Sequence, residues 1–246
     1  MHSSWVNPHA AYDAAVQDFA RRILDPEKAR AFLDDFRSFQ KRVARYGAFN
    51  TLSQTLLKIT SPCVADTYQG SELPDFSLVD PDNRRPVDYG KRHGMLSDLR
   101  RTGASGDRAA FVRGLADAVE DGRAKLYVTW RALSTRREHP GLFAEGEYLP
   151  LPVEGEKAEH VFAFARRKDG VTAVVAVPRL FARLNPDHTR APLGEMWGDT
   201  RVKLAGLEAG GAWRDAFTER TLGAADGLPV ADLFAHFPVA LLLRDS

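Results

Sequence analysis

A chain of 246 residues with 44% hydrophobic content is long and apolar enough to build one large core or two small ones. Its formal net charge of +1, with arginine interleaved among Asp and Glu, supplies no field to gather nucleic acid or an acidic membrane. A single cysteine, Cys63, excludes an internal disulfide; no apolar stretch nears the ~20 residues of a bilayer span, MHSSWVNPHA carries no secretory pattern, and the expected location is the cytoplasm.

Tyr12, Val16, Phe19 and Ile23 recur at helical spacing before Pro26. Phe32, Phe36, Phe39 and Val43 repeat that spacing, and Gly47 is expected to interrupt before a shorter stripe of Leu52, Leu56 and Ile59. Such stripes are read as core-facing. Ser61–Thr67, between Pro62 and Gly70, has room for one brief strand, with Cys63 buried in it. The segment Tyr68–Tyr89 follows, with three prolines and repeated aspartates; irregular segments of that length tend to carry function. Gly103–Gly106 breaks the pattern. Ala109–Val119 and Lys125–Arg137 read as helices, the second with Leu126, Trp130 and Leu133 on one side, and His139-Pro140-Gly141 ends the run. From Tyr148 the segments HVFAFARR, GVTAVVAVPRL, TRVKLAGL, WRDAFTERTL and FPVALLLRD are strand-like, separated by turn signals such as Lys168-Asp169-Gly170. The fold class is therefore α+β, with a mainly helical part over residues 1–140 and a small antiparallel β-domain over 141–246.

The long segment holds the chemistry. Asp80-Pro81-Asp82-Asn83-Arg84-Arg85-Pro86 sets acids beside guanidinium groups at very short range. Planar carboxylates and guanidiniums suit bidentate hydrogen bonds to vicinal hydroxyls and steady one another. Pro81 and Pro86 lower the ordering cost of the segment. Tyr68 and Phe76 offer flat apolar faces to a sugar ring. A salt-bridged surface turn without a ligand fits the same residues. The histidines show no metal-ligand spacing, so no metal site is expected. His2 and His93 read as surface residues, Ser3, Ser4 and Ser53 lack a nucleophile's setting, and Trp130, Trp197 and Trp213 read as core rather than a sugar platform.

TLSQTLLKITSPCVADTYQGSELPDFSLVDPDNRRPVDY is similar to maltooligosyl trehalose synthases, a branch of the α-amylase superfamily. The family's Tyr-Gln-Gly-x-Glu-Leu is met by Tyr68, Gln69, Gly70, Glu72 and Leu73, and its Asp-Phe-Ser-Leu-Val-Asp-Pro-Asp-Asn-Arg-Arg-Pro-Val-Asp runs gapless from Asp75 to Asp88. SSWVNP, GRAKLYVTWRAL, GEYLPL, AEHVFAFARR, PLGEMWGDTRV and LPVADLFAHFPVALL also resemble family segments, so the likeness covers the chain but only the end of a longer polypeptide. Two departures stand out: Cys63-Val64-Ala65-Asp66 replaces the usual Gly-Val-Pro-Asp, and Pro74 replaces a Trp after the Glu-Leu pair.

The resemblance implies the final helices and eighth strand of an incomplete (β/α)8 barrel, then the β-domain. A full barrel takes roughly 250 residues. It further implies an intramolecular transglucosylation, in which the reducing-end α-1,4 bond of a maltooligosaccharide becomes an α,α-1,1 bond. Retention implies a nucleophilic carboxylate and an acid/base about 5 Å apart. In the superfamily these sit after the fourth, fifth and seventh strands, so none is expected here; Asp66 and Glu72 read as a strand end and a loop anchor. Asp80, Arg84 and Arg85, with Tyr68, Gln69 and Glu72, are the expected substrate contacts. The implied partners are the maltooligosaccharide and the preceding barrel portion, in the same polypeptide or as a second one, and no cofactor is implied. A stand-alone maltooligosaccharide-binding module is the rival reading.

Overall fold

The computed structural model describes residues 2–104, 106–187, 189–207, 211–224 and 227–245. The chain divides into two units, Met1–Ala44 and Arg45–Ser246.

The first unit is helical. Helix α1 (Ala10–Ile23) starts where His9 Nδ1 accepts the Tyr12 amide at 3.1 Å. Ser3 Oγ supports the entry by accepting from the His9 amide and donating to Asp13, both at 3.0 Å. Helix α2 (Arg30–Thr60) is a single 31-residue element that begins in this unit. It passes through Gly47 without a break, contrary to expectation. One helical glycine costs about 1 kcal/mol, less than the surrounding helix returns. The two aromatic stripes are also not core. No residue of α1 is buried; Phe19 is 63% exposed and Phe39 56%. Among the described residues before Arg45, only Leu33 is buried. Helical periodicity reports which face is apolar, not whether anything lies on it.

The second unit packs helices on sheet. Leu52, Leu56 and Ile59 of α2 are buried as expected. Helices α3 (Tyr89–Ala104), α4 (Arg108–Asp117), α5 (Arg123–Glu138) and α6 (Pro140–Glu145) follow. Asp107 caps α4, its Oδ1 accepting the Ala109 and Ala110 amides at 2.9 and 3.3 Å; Ser105, within the expected Gly103–Gly106 break, lies outside the described residues. The strands are β1 (Glu147–Pro150), β2 (Val153–Glu154), β3 (Val161–Lys168), β4 (Val171–Pro178), β5 (Arg201–Val202), β6 (Ala212–Asp215), β7 (Thr221–Gly223), β8 (Leu228–Pro229) and β9 (Ala240–Asp245), with one-turn helices α7 (Phe181–Leu184) and α8 (Val230–Leu233) between them. The main sheet has the order β1-β3-β4-β9-β6-β7, the small one β2-β5-β8, and their pairings are antiparallel. Strands β3 and β4 are covered on both faces, which is why their sequence runs apolar rather than alternating. Their hairpin closes through Asp169 and Gly170 at φ 49° and 81°, the left-handed pair that a two-residue turn requires.

Trp197 and Trp213 are fully buried, as expected of core residues. Helix α5 ties the helices to the sheet: Tyr127 Oη donates to Phe217 O at 2.6 Å, and Arg131 Nε to Ala216 O at 2.8 Å. At the C-terminal end of α2, Arg136 donates to Ile59 O at 2.6 Å and the fully buried Arg166 to Thr60 O at 3.1 Å. Arg166 also reaches Gly146 O at 2.8 Å. Burial, then the neighbouring Arg136, lowers its pKa.

Two expectations fail just after α2. Ser61–Thr67 forms no strand, and Cys63 is exposed. A strand exists only against a partner's ladder. No strand among the described residues pairs with this segment, so its side chains, with Val64 fully exposed, have no sheet to face.

Candidate functional site

The segment from Tyr68 to Asp88 is irregular apart from a single 3-10 turn, Asp82–Arg84, yet it is tightly tied down. Arg92, one turn into α3, holds both its arms. Its Nε donates to Glu72 Oε2 at 3.0 Å, one terminal nitrogen to Gly70 O at 2.8 Å, and the other to Asp88 O at 3.1 Å. Asp88 in turn accepts the Lys91 amide at 2.8 Å, so the loop ends as the N-terminal cap of α3. Lys125 of α5 donates to Leu73 O at 2.9 Å, and Leu73 is buried. Burial, then the nearby Lys58, holds the Lys125 pKa below its ordinary value.

Gly122 lets Pro74 approach. It sits at φ 84°, and a Cβ there would lie 2.8 Å from Pro74 Cδ. Gly122→Ala is therefore expected to cost about 1–2 kcal/mol from the left-handed backbone alone and to push the Leu73–Asp75 arm outward. Urea unfolding reads the first effect and amide exchange at Leu73 and Asp75 the second. Unchanged exchange would show that the contact does not place the arm.

Beyond that anchor the loop organises itself. Asp75 accepts from the Ser77 hydroxyl at 2.7 Å and the Ser77 amide at 2.9 Å, which lowers its pKa. Asp82 Oδ2 accepts the Leu78 amide at 2.8 Å. Arg84 pairs with Asp80 at 2.6 Å, and Arg85 pairs with Asp82. Asp80, Arg84 and Arg85 are more than half exposed, so these pairs add little stability. They hold their carboxylate and guanidinium groups in fixed relative orientation while leaving them open to solvent.

The six expected contacts are not brought to one place. Gln69 and Arg85 line a cleft of about 390 Å³ together with Asp82, Asn83, Asp88 and Arg92. Its size falls in the range of small-ligand pockets, ~300–1,000 Å³. Gln69 Nε2 also donates to Arg85 O at 3.4 Å. Glu72 lines a second hollow of about 310 Å³, with Lys58 and Lys125. Asp80, Arg84 and the half-exposed Tyr68 line neither of these two. Phe76 stands 90% exposed at the rim of the first.

Sequence reasoning missed Arg92 and Gly122. The available signal for Arg92 was its place one turn after the helix cap that closes the loop. Ser53, never a candidate nucleophile, spends its hydroxyl on Pro178 O at 2.8 Å. Among the described residues no group of His, Cys, Asp and Glu could hold a metal ion, and no helix is long and apolar enough to cross a membrane.

No family model matches the chain. Proteins of two Mycobacterium tuberculosis strains, provisionally named as maltooligosyl trehalose synthases, are 36% identical to it over its whole length. The chain spans 26% of those relatives. The solved maltooligosyltrehalose synthase of Arthrobacter ramosus superposes on 98% of the chain with a TM-score of 0.71 and 31% identity, the match taking up 27% of that enzyme. A further solved maltooligosyl trehalose synthase shares the fold at 24% identity and a TM-score of 0.68, over 99% of this chain and 28% of its own.

Proposed function

From a chain that matches the C-terminal part of maltooligosyl trehalose synthases along its whole length, we propose the contribution of a substrate-gripping loop to a transglucosylase of that kind. In this reading residues 1–140 form the last part of a catalytic (β/α)8 barrel and 141–246 the β-domain behind it. The substrate is a maltooligosaccharide, and the reaction turns its reducing-end α-1,4 bond into an α,α-1,1 bond. Tyr68, Gln69, Glu72, Asp80, Arg84 and Arg85 belong to the substrate-binding set; the protein works in the cytoplasm and needs no cofactor.

The supporting observation is the loop itself. Arg92 fixes both arms, and the tip presents two carboxylate–guanidinium pairs beside an open polar cleft. The reaction releases a glucose that must stay bound, turn, and attack through its anomeric hydroxyl before water does. A rigid loop with exposed paired charges suits that task, because it grips hydroxyls without being ordered afresh. The nucleophile and acid/base lie outside this chain in this reading, so the chain alone makes no trehalose-ended product from maltopentaose; finding such product would overturn that part.

The cleft of about 390 Å³, lined by Gln69 and Arg85 of the expected set, supports a second reading as a maltooligosaccharide-binding module. Both readings place Arg84 at the sugar. Arg84→Ala is expected to weaken maltopentaose binding at least about tenfold in calorimetric titration. The urea midpoint should not move, because the pair it breaks is exposed. Affinity unchanged by the substitution would remove Arg84 from the site, and absence of heat from a cooperatively folded sample would remove the binding-module reading.

A further inference from the structure

We propose that Arg113, Arg220 and His236 form a receptor for a single phosphoryl group, carried by a small ester or free in solution. They come from three elements of the second unit: Arg113 from α4, Arg220 from the turn between β6 and β7, and His236 from the segment after α8. None belongs to the sugar loop. Arg113 Nη2 donates to Ala235 O at 2.8 Å and stands 3.5 Å from His236 Nδ1. A guanidinium only donates, so the neutral ring meets it with the Nδ1 lone pair and carries its proton on Nε2. Arg220 lies near enough for its charge to act on the same ring, more strongly than that of Arg113. The roots of these side chains are fixed. Asp215 accepts the Thr218 hydroxyl at 2.6 Å and the Phe217 and Thr218 amides at 3.1 and 3.3 Å, and its own amide donates to Arg220 O at 2.9 Å, closing the turn. Tyr127 and Arg131 hold the same turn from α5, and His236 precedes the buried Phe237.

The acids nearby are already engaged. Glu219 is taken by Arg108 and Arg131, at 3.3 and 3.1 Å on one oxygen. Asp107 gives Oδ1 to the cap of α4. Among the described residues, Arg113 and Arg220 have no carboxylate in bonding reach. Two cations held beside an imidazole repel, and an anion shared by all three relieves that repulsion. Two planar forks and a ring N–H, on three elements, match the oxygens of a tetrahedral phosphoryl dianion; a planar carboxylate has only two oxygens to offer. The chain's net charge of +1 adds no wider field, so the ligand is a small one. Burial, then Arg220 and Arg113, lowers the His236 pKa, and Asp107 opposes them. A bound dianion raises it. Binding therefore takes up a proton, and affinity rises as pH falls through the ring's ionisation.

The test is titration of the full chain with inorganic phosphate, a hexose 6-phosphate and a nucleoside monophosphate, followed by calorimetry and by the ring resonances of His236. Saturable binding is expected, with a Kd on the order of 1 mM or lower. Sulfate stays a dianion throughout and isolates the ring: its affinity should rise at least about threefold from about pH 8 to about pH 6, and His236→Gln should abolish that rise. Arg113→Gln and Arg220→Gln should each weaken phosphate binding at least about tenfold, with Arg220→Lys recovering part of the loss. Without added anion, Arg220→Gln should also raise the His236 pKa, which checks in the folded variant that the two groups meet. An ester that binds at least about tenfold tighter than free phosphate identifies the source as that ester; equal affinities identify the free ion. No response of His236 to any of these anions overturns the proposal, and so does an affinity indifferent to both arginine substitutions. Maltopentaose takes no part in these measurements, so their failure leaves the proposed function standing.

Discussion

Arg92→Ala is expected to cost about 3 kcal/mol of stability and to free the loop from Gly70 to Asp88 as one body. The guanidinium uses all three nitrogens on three acceptors, two on one arm of the loop and one on the other. Its side chain is only 17% exposed, whereas Glu72 is 35% exposed. Each charge-assisted bond contributes ~1.5–3 kcal/mol, and cutting one partner from a buried pair costs ~3–5 kcal/mol. The exposure of Glu72 lets water replace part of what is lost, which sets the lower figure. Gly70, at φ 80°, adds a second constraint, because a Cβ there would meet Arg92 and Val87, both at 3.2 Å. Lysine cannot substitute: one ammonium does not span acceptors on two arms, so Arg92→Lys should recover less than half the loss. Urea unfolding measures the cost, and amide exchange at Gly70, Glu72 and Asp88 should quicken together. A loss under about 1 kcal/mol with unaltered exchange would show that the loop is held by something else.

The second large effect is expected at Arg166. Arg166→Met keeps most of the volume and removes every donor, stranding Thr60 O in the interior and leaving the part-buried Gly146 O without it. A buried acceptor left unmade costs ~1–3 kcal/mol. The opposing gain is release of a buried cation with no carboxylate in bonding reach among the described residues and an unpaired Nε. Because the charge sits on the carbonyl end of α2, the helix dipole already offsets part of its desolvation, so the stranded carbonyls dominate. The net loss is expected to be about 3 kcal/mol, a fall in Tm of about 6–12 °C for a chain of this size. Calorimetry decides it. A variant as stable as the parent would mean that burying the cation costs as much as its two bonds return, as happens in some buried ion clusters.

The sheet was the most legible part of the fold. HVFAFARR and GVTAVVAVPRL run apolar on both faces and are joined by Asp169-Gly170, so strand, pairing and turn all announce themselves locally. Helix α5 was equally plain. Two of the failures share one cause: each concerned what lies beside an element. The stripes at Phe19 and Phe39 were read correctly as apolar faces and wrongly as covered ones. Ser61–Thr67 had a strand's composition, but a ladder is made by two segments, and the second is absent from the described residues. Gly47 was given too much weight for one weak residue in a long helix. In the loop, Asp80, Arg84 and Arg85 were legible by composition, and the structure pairs Arg84 with Asp80 and Arg85 with Asp82. The distribution of the six expected contacts over two hollows and open surface was not. Nor was Arg92, since a side chain bonding a backbone carbonyl 22 residues away leaves no local pattern.

The order of the main sheet, β1-β3-β4-β9-β6-β7, puts its latest strand in the middle. Among the described residues, strand β9 alone bridges β4 on one side and β6 on the other. A ribosome can therefore deliver a finished β3–β4 hairpin and a finished β6–β7 hairpin while the sheet is still in two halves. Until residues 240–245 have left the exit tunnel, β4 and β6 each present a bare backbone edge, and such edges invite pairing with a foreign chain. The step that closes both edges is the insertion of one strand, Ala-Leu-Leu-Leu-Arg-Asp, between two waiting neighbours.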